Sequence, residues 1–131
     1  MSGIVVKDSR AVEPTIFQGR ESRRVISPEH DGSTRMSLHK LHNFERGVTY
    51  EVKYEKNDEI LYILEGEGYI LDGDTRIPFA PHSAVFIPAG TPYRIYNPTD
   101  LKMLAVLSPP RYREDWVDRP DLVQLEPCAD A

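Results

Sequence analysis

Residues 47 to 68 read GVTYEVKYEKNDEILYILEGEG, and the fold turns on how this stretch is read. Glu59 leads the apolar run Ile60-Leu61-Tyr62-Ile63-Leu64, which glycines at 66 and 68 close. A short run rich in branched and aromatic residues, bounded by turn residues, is a strand rather than a helix. Both of its alternating faces are apolar, Ile60, Tyr62 and Leu64 on one and Leu61 and Ile63 on the other. Such a strand is expected in a barrel wall whose outer face is covered by a second sheet or a partner subunit. LKMLAVLS at 101–108 has the same character.

Outward from this run, eleven prolines and eight glycines punctuate the chain at short intervals, which leaves little room for helical periodicity. Strands are expected at 22–27, 34–44, 48–55, 59–65, 67–71, 75–79, 83–87, 93–97 and 101–107. Turn signals separate them, among them Asp31-Gly32, Asn57-Asp58, Asp72-Gly73 and Asn97-Pro98. Many short strands at this spacing predict an all-β sandwich or barrel. The expected organisation is an N-terminal strand and arm over 1–33, a barrel core over 34–108, and a polar tail over 109–131. That tail would pack on the barrel or a partner through Tyr112 and Trp116, with one helical turn in DWVDRPDLV.

At 131 residues the chain is one domain's worth, and 40% hydrophobic with 28% charged residues describes a globular chain. A net charge of −5 argues against nucleic acid as a partner. No run approaches a membrane span, and the single cysteine, Cys128, has no intramolecular partner, so a cytoplasmic location is expected.

Gly47 to Gly66 resembles the first motif of the cupin family: glycine, histidine, histidine, glutamate, glycine at fixed spacing. Gly47, Lys53, Glu55, Glu59 and Gly66 fall on those places without a gap. HSAVFIPAGTPYRIYN, residues 82–97, is similar to the second motif, with Pro88, Gly90 and Asn97 in place. His82 stands for its leading glycine and Tyr93 for its metal-binding histidine. The resemblance implies a cupin-type double-stranded β-helix, a jelly-roll barrel that is usually a homodimer, with a central small-molecule pocket. It leaves the activity open, since cupins range from dioxygenases to sugar-sensing domains.

In metal-binding cupins the four ligand places hold a metal ion. The resemblance carries these places to Lys53, Glu55, Glu59 and Tyr93. A charged lysine has no lone pair for a cation, so the reading is of a pocket without metal. Two carboxylates against one ammonium would then suit a cationic or amine-bearing ligand, or share a proton for acid–base work. The expected chemistry is non-redox proton transfer, as in a cyclase, dehydratase, isomerase or lyase. Glu55 or Glu59 would be the base, Tyr93 a donor and Lys53 an electrostatic stabiliser.

Two alternatives stand beside it. One is a non-catalytic ligand-binding or accessory protein, similar to the small cupins of ethanolamine utilisation. The other is an iron or manganese enzyme whose oxygen ligands are Glu55, Glu59 and Tyr93. Ectoine-synthase-type cupins are similar in using a glutamate and a tyrosine, and small polyketide-pathway cupins resemble the chain over several segments.

Strand register decides whether Lys53 and Glu55 enter the pocket, because a slip of one residue would turn them out and bring Val52 and Tyr54 in. His39 and His42 lie three apart, so a strand sends them to opposite faces. His39 and Tyr50 are the further candidates for substrate contact.

Overall fold

Leu61 and Ile63 are each 1% exposed, whereas Ile60, Tyr62 and Leu64 are 47%, 38% and 37% exposed. Strand β5 (Asp58–Glu65) therefore has one inner face and one outer face. The expectation that it is covered on both sides does not hold within one chain. The computed structural model describes residues 3–17, 19–47, 50–112 and 122–124.

The larger sheet has the order β1 (Pro14–Phe17), β2 (Arg20–Ile26), β3 (Ser37–Asn43), β10 (Leu101–Ser108), β5 and β8 (Ala84–Ile87). All of its pairings are antiparallel. Facing it are β7 (Thr75–Phe79), β6 (Gly68–Asp72) and β9 (Arg94–Tyr96), together with β4 (Tyr50–Val52) and β11 (Leu122–Gln124). An antiparallel bridge between Val52 and Tyr93 brings β4 alongside β9. Side chains from both layers meet between them, among them Val52, Leu61, Ile63, Ile70, Phe79, Tyr93, Ile95 and Met103. This is an all-β barrel, as the strand pattern predicts, of the jelly-roll kind that the motif resemblance implies.

The motif residues prove to be joints of this barrel. Gly66 has φ +96°, and a Cβ there would lie 2.3 Å from the Asp100 carbonyl oxygen, so only glycine fits. His82 takes the place of a motif glycine and keeps its left-handed backbone, with φ +78°. Asn97, 1% exposed, donates from Nδ2 to the carbonyls of Asn43, Glu45 and Thr99. It ties the end of β9 to the β3–β4 connection.

Several elements depart from expectation. PTIF forms β1 despite its leading proline, because Pro14 starts an edge strand, where a missing N–H costs little. Residues 28–31, between the expected strands 22–27 and 34–44, form one helical turn capped by Ser27 and closed by Gly32 at φ +69°. The helical turn expected in DWVDRPDLV is corrected at its end, since Leu122 and Val123 lie in β11 and pair with Val52 and Glu51. The rest of that segment, with Trp116, lies outside the described residues, as do Cys128 and residues 48 and 49 of the expected strand 48–55. Among the described residues, no helix is long and apolar enough to cross a membrane.

Candidate functional site

Antiparallel pairing aligns Ser37, Leu107, Glu59 and Ile87 in one row across β3, β10, β5 and β8. The next row holds Arg24, His39, Ala105, Leu61 and Val85. Residues directly opposite one another share a face, and the burial of Leu61, Leu107 and Ala105 identifies that face as the barrel interior. Glu59 and His39 are thus interior polar residues, 3% and 1% exposed.

Glu59 meets Tyr93, which approaches from the opposite layer. The Tyr93 hydroxyl donates to Glu59 Oε1 at 2.5 Å, and both groups are buried. Tyr93 is fixed by its own backbone, which exchanges two hydrogen bonds with Val52 at 2.8 and 2.9 Å. Burial, then the negative charge of Glu59, pushes the Tyr93 phenol well above its ordinary value, while Arg20 pulls it down. Tyr93 therefore keeps its proton and serves as a donor.

His39 Nε2 lies 2.9 Å from Ser37 Oγ, and that hydroxyl also accepts from the Arg111 backbone N–H. The Arg111 guanidinium carbon lies 4.6 Å from the centre of the Tyr54 ring, a cation–π contact near this end of the barrel. Asn57 Nδ2 donates to the Pro109 carbonyl and ties the same chain segment down.

The other two motif positions face away. Val52 is 3% exposed and Tyr54 packs against the core, so alternation turns Lys53 and Glu55 outward. Their side chains, 42% and 64% exposed, pair with each other at 2.8 Å, and Glu55 holds the Lys53 ammonium above its ordinary value. The structure brings Glu59 and Tyr93 together, with His39 on the same interior face, but it does not bring Lys53 or Glu55 to them. Tyr50 pairs through its backbone with Gln124, and its side chain lies outside the described residues. His42, by contrast, faces outward to Asp100 and Glu21.

Strand β2 adds interior groups that were not singled out in the sequence. Ser22 lies opposite Leu41 and Arg24 opposite His39, which places Arg20, Ser22 and Arg24 on the inner side. Arg20 Nε donates to Asn43 Oδ1 at 3.3 Å. Arg24 Nη2 donates to Glu29 and to the Arg111 carbonyl. The alternation of Arg20, Ser22 and Arg24 was visible, but Glu21 and Arg23 make the other face equally polar, so hydrophobicity could not orient the strand.

A concavity of about 190 Å³ lies on the outer surface among Ser9, Arg10, Glu21, Arg23, Lys40, Leu41, His42 and Lys102. Most of its cations are matched, Arg10 by Asp8, Arg23 by Glu21 and Lys102 by Glu65. It is a solvated ion-pair surface of small energetic weight.

A cupin domain model matches residues 40–107, half of the chain, and the chain belongs to the cupin family. No curated protein matches it. Among solved structures it is similar to ectoine synthase from P. lautus, with a TM-score of 0.84 and 21% identity over 95% of this chain and 92% of that one. The polyketide cyclase RemF from Streptomyces resistomycificus gives 0.70 and 21% identity over 97% and 89%. The EutQ protein of Clostridium difficile gives 0.62 and 18% identity over 71% and 64%. At these identities the likeness is one of fold.

Metal-holding cupins place four ligands at positions that here are Lys53, Glu55, Glu59 and Tyr93. Only Glu59 and a protonated Tyr93 face inward, and no three of His, Cys, Asp or Glu converge among the described residues. That donor set does not fit a four-ligand centre. The oxygen set Glu55, Glu59 and Tyr93 considered for iron or manganese is not assembled either, because Glu55 is on the surface.

Proposed function

We propose that this cupin is a small-molecule enzyme of non-redox proton transfer, with Glu59 as the base and Tyr93 as the donor. One observation carries the reading: a buried carboxylate held by the hydroxyl of a buried tyrosine inside the barrel. A buried carboxylate is costly unless something stabilises it, and functional sites are where such cost is retained. Glu59 would take a proton from a substrate carbon or nitrogen and return it elsewhere on the same molecule. Return to another carbon gives an isomer. Return to a leaving hydroxyl gives water and a double bond, and attack of the deprotonated atom on a carbonyl carbon of the same molecule, with the proton returned to the carbonyl oxygen as its π bond opens, gives a ring. The neutral Tyr93 phenol would hold the carboxylate and donate to negative charge developing on the substrate. The same architecture in a synthase and a cyclase supports this class.

The amine-bearing ligand expected from Lys53, Glu55 and Glu59 loses its basis, because two of those charges lie outside. Interior Arg20 and Arg24 instead bring hydrogen-bond donors that an anionic ligand could use.

The partner we propose is a second copy of the chain. Strand β8 ends the larger sheet, and beside it Phe86, Ile60 and Tyr62 expose an apolar outer face.

The test is proton NMR in D2O of the purified protein with a panel of small hydroxy, keto and amino acids. Deuterium incorporation, elimination or cyclisation that is lost in Glu59→Gln and reduced in Tyr93→Phe supports the assignment. No conversion across the panel, or conversion undiminished in Glu59→Gln, overturns it in favour of a non-catalytic binding protein.

A further inference from the structure

The inner face of β2 carries two buried polar atoms without partners. Ser22 is 3% exposed and its hydroxyl makes no hydrogen bond. Arg24, whose side chain is 14% exposed, leaves Nε unpaired although its Nη2 is doubly engaged. Two residues apart on one strand, these groups share a face and a direction. Buried donors are nearly always satisfied in folded proteins, and exceptions call for a specific explanation. Both can donate, which makes the missing partner an acceptor.

Charge narrows the acceptor further. Arg20 stands on the same face, and its positive charge reaches the Tyr93 hydroxyl. Arg24 is already shared with Glu29, and Glu59 contributes one negative charge. The two arginines and the two glutamates cancel, so the site accepts a single added negative charge more readily than a phosphate dianion. A planar carboxylate also offers two oxygens to two donors. The row through Arg24 continues through His39 to Ala105, the smallest side chain in it.

We propose that Ser22 Oγ and Arg24 Nε, with Arg20 beside them, form a subsite for the carboxylate of a small organic acid. The inference rests on reading the barrel interior as the working pocket. It adds the substrate class: an acid anchored at β2, with its reacting carbon or nitrogen turned toward Glu59 and Tyr93. Three strand spacings separate β2 from β5, about 14 Å along the sheet, so the acid must carry an extended chain beyond its carboxylate to reach Glu59 and Tyr93.

The experiment is titration calorimetry and thermal shift on the full chain with propionate and succinate. Propionamide, 1,4-diaminobutane and inorganic phosphate serve as comparisons. The carboxylates are expected to bind and raise the melting temperature, and the amide and diamine to do neither. Ser22→Ala, which deletes only an unpaired hydroxyl, is expected to weaken carboxylate binding roughly 3- to 10-fold without unfolding the protein. Arg24→Lys keeps the charge but removes Nε, and is expected to weaken binding further.

Carboxylate affinity unchanged in both variants, no binding by either carboxylate, or a preference for the diamine overturns the subsite. A preference for phosphate overturns the assignment to a carboxylate. Binding and turnover separate this inference from the catalytic reading. If Glu59→Gln abolishes turnover but carboxylates do not bind, the subsite falls alone. If Ser22→Ala weakens binding while Glu59→Gln keeps full turnover, the base falls and the subsite stands.

Discussion

The Tyr93 hydroxyl and Glu59 Oε1 lie 2.5 Å apart, joining β5 to the segment before β9 across the barrel interior. A hydrogen bond to a charged acceptor at low dielectric is strong, and breaking one side strands the other. Tyr93→Phe is therefore expected to destabilise the fold by about 1–3 kcal/mol in urea unfolding. A double-mutant cycle with Glu59→Gln should give a coupling of about 1–3 kcal/mol. Additive effects would mean that the two side chains do not act as a unit.

Lys53 and Glu55 make the opposite case. Their pair is open to water, so screening and side-chain entropy leave little net gain. Lys53→Met and Glu55→Gln are each expected to leave the urea midpoint and carboxylate binding unchanged. A loss of binding in either variant would return these residues to the pocket.

How far the sequence could be read follows from the same two pairs. The motif resemblance put Glu59 and Tyr93 among the pocket positions, and the apolar run with its glycine turn in ILYILEGEG located β5 to within a residue. Register at Lys53 was harder, because Tyr50, Val52 and Tyr54 are as compatible with the interior as Lys53 and Glu55 are with a charged cage. The bridge from Val52 to Tyr93 decides it, and that contact joins residues 41 positions apart. In β2 both faces are polar, so only its pairing with β3 shows that Ser22 and Arg24 point inward. β1 and β11 are four and three residues long, too short to announce themselves by periodicity.

Glycines 66 and 90 both have left-handed backbones, at φ +96° and +82°, but different surroundings. At Gly66 a Cβ would collide with the Asp100 carbonyl, whereas at Gly90 it meets nothing within 4 Å. Gly90→Ala should cost about 1 kcal/mol, the strain of the backbone alone. Gly66→Ala should cost clearly more, about 2–4 kcal/mol, because the turn before β6 must shift as well. Thermal unfolding of the two variants side by side provides the measurement, and equal losses would refute the difference.

The outer face of β5 and β8 predicts an effect on association. Phe86 is 63% exposed and Ile60 47%, and the two are paired across the strands. If a second copy covers this face, light scattering should report a dimer, and Phe86→Glu should give a folded monomer with unchanged circular dichroism. A monomeric wild-type protein at micromolar concentration would dispose of the proposal.

Alkaline pH probes the interior directly. In the unfolded chain the Tyr93 phenol releases its proton near pH 10, whereas in the fold burial and Glu59 hold that proton to higher pH. Below pH 10 both states are protonated and this group contributes no pH dependence. Above it the unfolded state binds fewer protons than the folded one, so stability must fall as pH rises. The slope for one such group is about 1.4 kcal/mol per pH unit, continuing until the folded phenol itself ionises. Urea unfolding between neutral and strongly alkaline pH should show this decline in the wild-type protein and a shallower one in Tyr93→Phe. Absorbance at the tyrosinate band gives an independent reading, since the Tyr93 phenol should ionise only as the protein unfolds. Absorbance gained near pH 10 with the fold intact, and missing from Tyr93→Phe, would show that Tyr93 is not held by Glu59.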